Sequence, residues 1–224
     1  MAPRSVFDRQ LQELRDDVLR MGSMTDTAIS CAIQTLVDRD AMLARQIIAG
    51  DAKINAVRFN VEEHCLKLIA CQQPAAHDLR FILAVMNIVL ELERIADHAA
   101  GIASSFLRVA DQPPLKPLTD LPCMGEVSQE MLRESLDAFI FEDTAQALYV
   151  AGRDQEVNQL YRQVFRALLS FMIEDPTTVT RAMHLLFCAH KVERIADRVT
   201  NICEQVVFAA TGRMEEIPSE AAVK

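Results

Sequence analysis

Glu93-Arg94-Ile95-Ala96-Asp97 and Glu193-Arg194-Ile195-Ala196-Asp197 are identical pentapeptides 100 positions apart. On a helix, Glu and Asp four residues apart lie one turn above one another on a common face. A second spaced pair recurs with them, Asp51 with Asn55 and Asp154 with Asn158, and the later motif is extended by Asn201 and then Glu204. Carboxylate and amide oxygens are hard donors. They suit Mg, Ca, Mn or ferric iron better than soft ions, and zinc also accepts such a set. Crowded carboxylates repel one another unless a proton or cation stands among them, so their repetition asks for a counterion. The competing reading is a solvated stripe with local ion pairs, each contributing roughly 0.2–0.5 kcal/mol. Helical geometry predicts that Arg94 and Arg194 turn away from the acid face, toward packing or a partner.

Other chemistry is poorly represented. His98 and His190 lie near the two motifs, and His190 precedes Glu193 by one turn, where it could add a nitrogen ligand; His64, His77 and His184 read as core or surface residues. No Glu stands three before any histidine, which argues against a ferritin-like di-iron site. There is no phosphate-cradling Gly-rich loop and no GxSxG. No sequence feature argues for catalysis.

The elements that must position these residues are helices. Good helix formers dominate, with six glycines, two tyrosines and no tryptophan in 224 residues. Ser5 followed by Asp8 predicts the start of a helix running to about Arg39, and Asp40 is placed to cap a second that Pro74 ends. The third carries a seam of Phe81, Val85, Ile88, Leu92, Ile95, Ala99, Ile102 and Phe106, with Glu93 and Asp97 on its flank. The Pro-rich stretch 111–122 reads as a linker, and the second half then replays the first. Met21-Gly22 matches Met124-Gly125, Asp40 matches Asp143, and Asp51 to Asn55 matches Asp154 to Asn158, all at an offset of 103. The predicted fold is therefore all-α, six helices in two tandem three-helix bundles at 1–110 and 123–212, with a polar, flexible tail at 213–224. A single six-helix bundle with a shared core is the alternative. Within each bundle, antiparallel neighbours would bring the D-x-x-x-N and E-x-x-x-D turns face to face.

The formal net charge of −9 argues against a nucleic-acid binder. The N-terminus lacks an apolar signal region, and the longest apolar run, Phe81 to Leu90, is too short to span a bilayer. The six cysteines show no CxxC pairing and read as small buried hydrophobes in a reducing compartment, so a cytoplasmic location is expected.

Two helix-ending ERIAD motifs, each preceded by a D-x-x-[IV]-N turn and a Pro break, resemble the PhoU phosphate-uptake regulators. The resemblance runs from FDRQLQELRDDVLRMG through QQPAAHDLRFILAVMNIVLELERIADHAAGIA to KVERIADRVTNICEQVVFAATG. It implies a cytoplasmic regulator rather than an enzyme, one that restrains the phosphate-starvation response. Such a protein links the ATPase subunit of a phosphate ABC transporter to a sensor histidine kinase and reaches the inner membrane only through partners. The resemblance also implies iron or zinc, in clusters of more than one ion, on acidic helix faces. The positions carried over are Glu93 and Asp97, then Glu193, Asp197 and Asn201, with Asp51 and Asp154 opposite. One departure stands out: Asn201 is matched by Gly101, which has no side-chain ligand. Long apolar seams and ten methionines suit a homodimer as well as a core. The rival expectations are a metal-free scaffold whose acidic faces dock on basic surfaces and, more remotely, a carboxylate-metal hydrolase.

Overall fold

The computed structural model describes residues 3–115, 120–214 and 216–217. Among these it contains helices and no strand: α1 (Pro3–Asp38), α2 (Ala41–Gln72), α3 (Ala76–Leu107), α4 (Asp120–Phe141), α5 (Thr144–Gly152), α6 (Asp154–Glu174) and α7 (Val179–Thr211), with a 3₁₀ turn at Pro176–Thr178. The fifth expected helix is interrupted at Arg153, which is why seven are counted among the described residues.

The helix ends follow from local chemistry. Asp40 Oδ1 accepts from the backbone N–H of Met42 and Leu43 at 2.8 and 3.0 Å. Asp143, its equivalent, does the same for Ala145 and Gln146 at 3.0 Å. These are N-caps that satisfy donors a helix start leaves open. The residues before them, Arg39 and Glu142, take φ of 57° and 51°, so both turns have the same left-handed shape. α2 stops before Pro74 with Gln73 left-handed, and α7 ends at a left-handed Gly212.

Three boundaries differ from expectation. α1 begins at Pro3, ahead of Ser5; proline at a first helical position loses no bond, because that N–H has no partner in any case. α4 begins at Asp120, inside the expected linker, with Pro122 tolerated in its first turn for the same reason. Residues 116–119 and 218–224 lie outside the described residues. The near part of the expected tail is not loose: Ile217 packs on the core and its N–H donates to Glu204 at 2.9 Å.

The apolar seam of α3 is buried throughout, as are Cys188, Val192, Ile195, Val199, Ile202 and Val206 of α7. One cluster of buried residues draws on both halves, from Leu14 and Met21 of α1 to Ile202 and Val206 of α7. The repeated units thus share a core. α3 and α7 pack along one another in opposite senses, shown by Asn87 with Gln205 at 2.9 Å, Asn201 with Glu91 at 3.1 Å, and Cys188 with the Ile102 carbonyl at 3.7 Å. The two ERIAD turns consequently cross at the centre of this seam. Cys65, Cys188 and Cys203 are buried as expected, but Cys71 and Cys123 are exposed, and all six thiols are free.

Candidate functional site

In each half the D-x-x-x-N turn of one helix faces the E-x-x-x-D turn of the next. Asp51 Oδ2 on α2 accepts from Asn55 Nδ2 at 3.1 Å, and Asp154 Oδ2 on α6 accepts from Asn158 Nδ2 at 2.7 Å. In both residues the other oxygen, Oδ1, is shut from solvent and has no hydrogen-bond partner. The same arrangement, 103 residues apart, is the repeat expressed in side-chain geometry.

The electrostatics repeat as well. Burial raises the Asp51 pKa and the Asp97 charge adds to it, while the hydrogen bond from Asn55 opposes. Burial also raises Glu93; Arg58 opposes this, and Asp97 and Asp51 push further up. In the second half, burial and then Asp197 lift Asp154 to about 6, against Asn158 and with a smaller push from Glu193. Glu193 and Asp197 are raised mainly by burial, the former also by Asp197, with His190 and Arg194 opposing in both cases. Each half therefore holds three mutually repelling carboxylates, Asp51/Glu93/Asp97 and Asp154/Glu193/Asp197. Among the described residues, however, no three His, Cys, Asp or Glu side chains converge tightly enough to hold an ion as they stand. The donor chemistry fits a cation; gathering the oxygens on one point requires the side chains to turn.

The surroundings differ between halves. Beside Glu93 stands Arg58, and the equivalent of Arg58 is Tyr161, whose ring lies 6.3 Å from that of His190. His190 Nδ1 is 3.0 Å from Glu193 Oε2, the contact its spacing made possible. Arg194 does not turn away as expected: its guanidinium lies 2.6 Å from Asp197 Oδ2, since a residue three positions on is within an arginine's reach. Arg94 reaches back to Glu91 instead. The Asn201 amide nitrogen donates to Glu91 of α3 at 3.1 Å. Its counterpart Gly101 is covered by Lys191, whose Cε would stand 3.2 Å from an added Cβ. His98 faces the cations of α7; burial and the charges of Lys191, Arg198 and Arg194 lower it to about 4, so it is neutral at physiological pH.

Sequence reasoning missed Arg58, Tyr161 and Glu91. Aligning the halves at the offset of 103 would have flagged the first two, as the changed neighbours of an unchanged acid set. Glu91 shows locally only its spacing to Arg94; its other partners, Arg198 and Asn201, lie on a helix more than a hundred residues away.

Repeated helical bundles with an acidic turn at corresponding places in each unit define a class of duplicated all-α protein. The PhoU domain family model matches residues 18–106 and again 121–206, and the chain belongs to that family. It is 40% identical over 207 residues to a phosphate-specific transport system accessory protein PhoU homolog of Zymomonas mobilis, covering 92% of this chain and 87% of that one. Against the accessory protein PhoU of Escherichia coli the figures are 35%, 92% and 86%. The crystal structure of PhoU from Pseudomonas aeruginosa is similar with a TM-score of 0.87 at 33% identity, over 92% of this chain and all of that one.

Proposed function

We propose that this chain regulates phosphate uptake, coupling the ATPase subunit of a phosphate ABC transporter to a sensor histidine kinase and restraining the starvation response while phosphate is plentiful. The observation that carries the reading is the duplicated acid arrangement in a chain that aligns over nearly its whole length with phosphate transport accessory proteins. No described helix is long and apolar enough to cross a membrane, which is consistent with a protein that acts at the cytoplasmic face through its partners. It acts by binding rather than by catalysis, as a homodimer.

Iron or zinc is proposed at the acid turns, with Mg, Ca and Mn as the other oxygen-loving candidates. Glu93, Asp97 and Asp51 would hold ions in the first half, and Glu193, Asp197 and Asp154 in the second, with Asn55 and Asn158 orienting the aspartates. The support is electrostatic: like charges brought together and partly desolvated are stabilised by a cation. The experiment is a chromosomal deletion scored with a phosphate-responsive reporter. Expression in high phosphate should rise on deletion and fall again on complementation, and an unchanged reporter would overturn the regulatory reading.

A further inference from the structure

α6 and α7 are antiparallel neighbours joined by the turn at 175–178, and the Tyr161 ring, 6.3 Å from that of His190, fixes which of their faces meet. From that pair toward the turn, α6 carries Phe165, Leu169 and Ile173, and α7 carries Phe187, Met183 and Val179, each residue four from the next. Positions four apart form a ridge, so two apolar ridges run side by side. All six are open to solvent, from 37% for Met183 to 73% for Ile173. With side chains of roughly 150–200 Å² each, these fractions leave about 500 Å² of apolar surface uncovered, at the upper end for a protein that works alone.

The first half shows that the fold does not need this surface. At the offset of 103 the α6 ridge corresponds to Glu62, Leu66 and Ala70 of α2. In the register of the two ERIAD turns, the α7 ridge corresponds to Leu79, Leu83 and Asn87 of α3. There Glu62 pairs with Arg58 at 3.7 Å and Asn87 donates to Gln205 at 2.9 Å, so the equivalent hairpin satisfies polar groups within the chain. The charges along α6 point to what covers the patch in the second half. Arg162 and Arg166 lie toward one end of the ridge and Glu174 at the other, about 18 Å from Arg162. All three are exposed, and none has an ion-pair partner among the described residues, Arg166 donating only to the Arg162 carbonyl. Two copies packed with their α6 ridges antiparallel across a two-fold axis would set the arginines of each against Glu174 of the other, and such a contact closes on itself. A standard interface takes about 800 Å² from each partner, apolar at its centre and polar at its rim, and the two ridges with these charges match that size and pattern.

We propose that the α6/α7 hairpin is the face through which two copies of this chain associate. The inference rests on the homodimer proposed above and names its contact surface. Sedimentation equilibrium of the full chain tests it, with circular dichroism checking that each variant is folded. The parent should form a dimer with a Kd of roughly micromolar or below. Ile173→Glu and Phe187→Glu should each weaken association by about tenfold or more. Leu66→Glu, which puts the same charge on the corresponding ridge of the first half, should leave it unchanged. Arg162→Glu/Arg166→Glu should weaken association too, and Glu174→Arg added to that pair should recover part of the loss, because the charges meet across the axis. A parent that stays monomeric at about 100 μM would overturn the homodimer and this face together. A dimer that persists in folded Ile173→Glu and Phe187→Glu, or one weakened equally by Leu66→Glu, would overturn the face alone.

Discussion

Gly125 of α4 lies against Ile33 of α1 so closely that a Cβ added there would stand 2.6 Å from the Ile33 Cγ1. The reciprocal pair is Gly22 of α1 with Leu136 of α4, where the Leu136 Cδ1 would be met closer still. Ile33 and Leu136 are themselves equivalents at the offset of 103, so one approach is made twice about a pseudo-two-fold axis. A branched side chain cannot yield near its Cβ, whereas the far end of a leucine can swing.

Gly125→Ala is therefore expected to destabilise by about 1–2 kcal/mol even after alanine's better helix propensity is counted. Gly22→Ala should cost less, because only the leucine tip must move. Urea denaturation at constant m-value measures both. A Gly125→Ala variant more stable than the parent would mean that the α1/α4 approach is looser than described.

Glu91, 7% exposed, accepts from Arg94 of its own helix and binds α3 to α7 by accepting from Arg198 and Asn201. Glu91→Ala leaves Arg198 and Asn201 facing a void, and removing one member of a buried charged group typically costs ~3–5 kcal/mol. Part of this network meets solvent, so about 2–3 kcal/mol is expected here. Asn201→Ala alone should cost about 1 kcal/mol. A Glu91/Asn201 double-mutant cycle reports the coupling, and additive effects would show that the two do not interact.

Asp154 gives the protein a pH dependence of unusual sign. Its folded pKa, about 6, lies above the ordinary 3.8, so the native state holds the proton more tightly than the unfolded chain. This group's stabilisation is complete below about pH 4 and is lost as the pH rises toward 6 and beyond. In chelator, Asp154→Asn should therefore stabilise the protein at pH 7, on the order of 1–3 kcal/mol, and by much less at pH 4. Thermal denaturation at the two pH values tests this. Equal effects at both would contradict the assigned shift.

Most of the architecture was legible because its signals are local. Asp40, Pro74 and the third-helix seam act within a turn or two, so caps, breaks and buried faces follow from spacing. The duplication was legible for the same reason, as short motifs repeated at an offset of 103 and, for ERIAD, of 100. What escaped depends on packing between distant segments. Asn201 continues an acidic face in sequence, yet its amide is claimed by Glu91 across the seam. Arg194 was expected to turn away, but its length lets it fold back on Asp197.

In the proposed function each half gathers its acids to hold a cation. Elemental analysis of the chain purified without chelator, beside a Glu193→Ala/Asp197→Ala variant, tests it most directly. The parent is predicted to carry iron or zinc and the variant to lose the share held by the second half, keeping that of the Asp51, Glu93 and Asp97 group. Equal metal content in the two proteins, or none in either, would contradict the account.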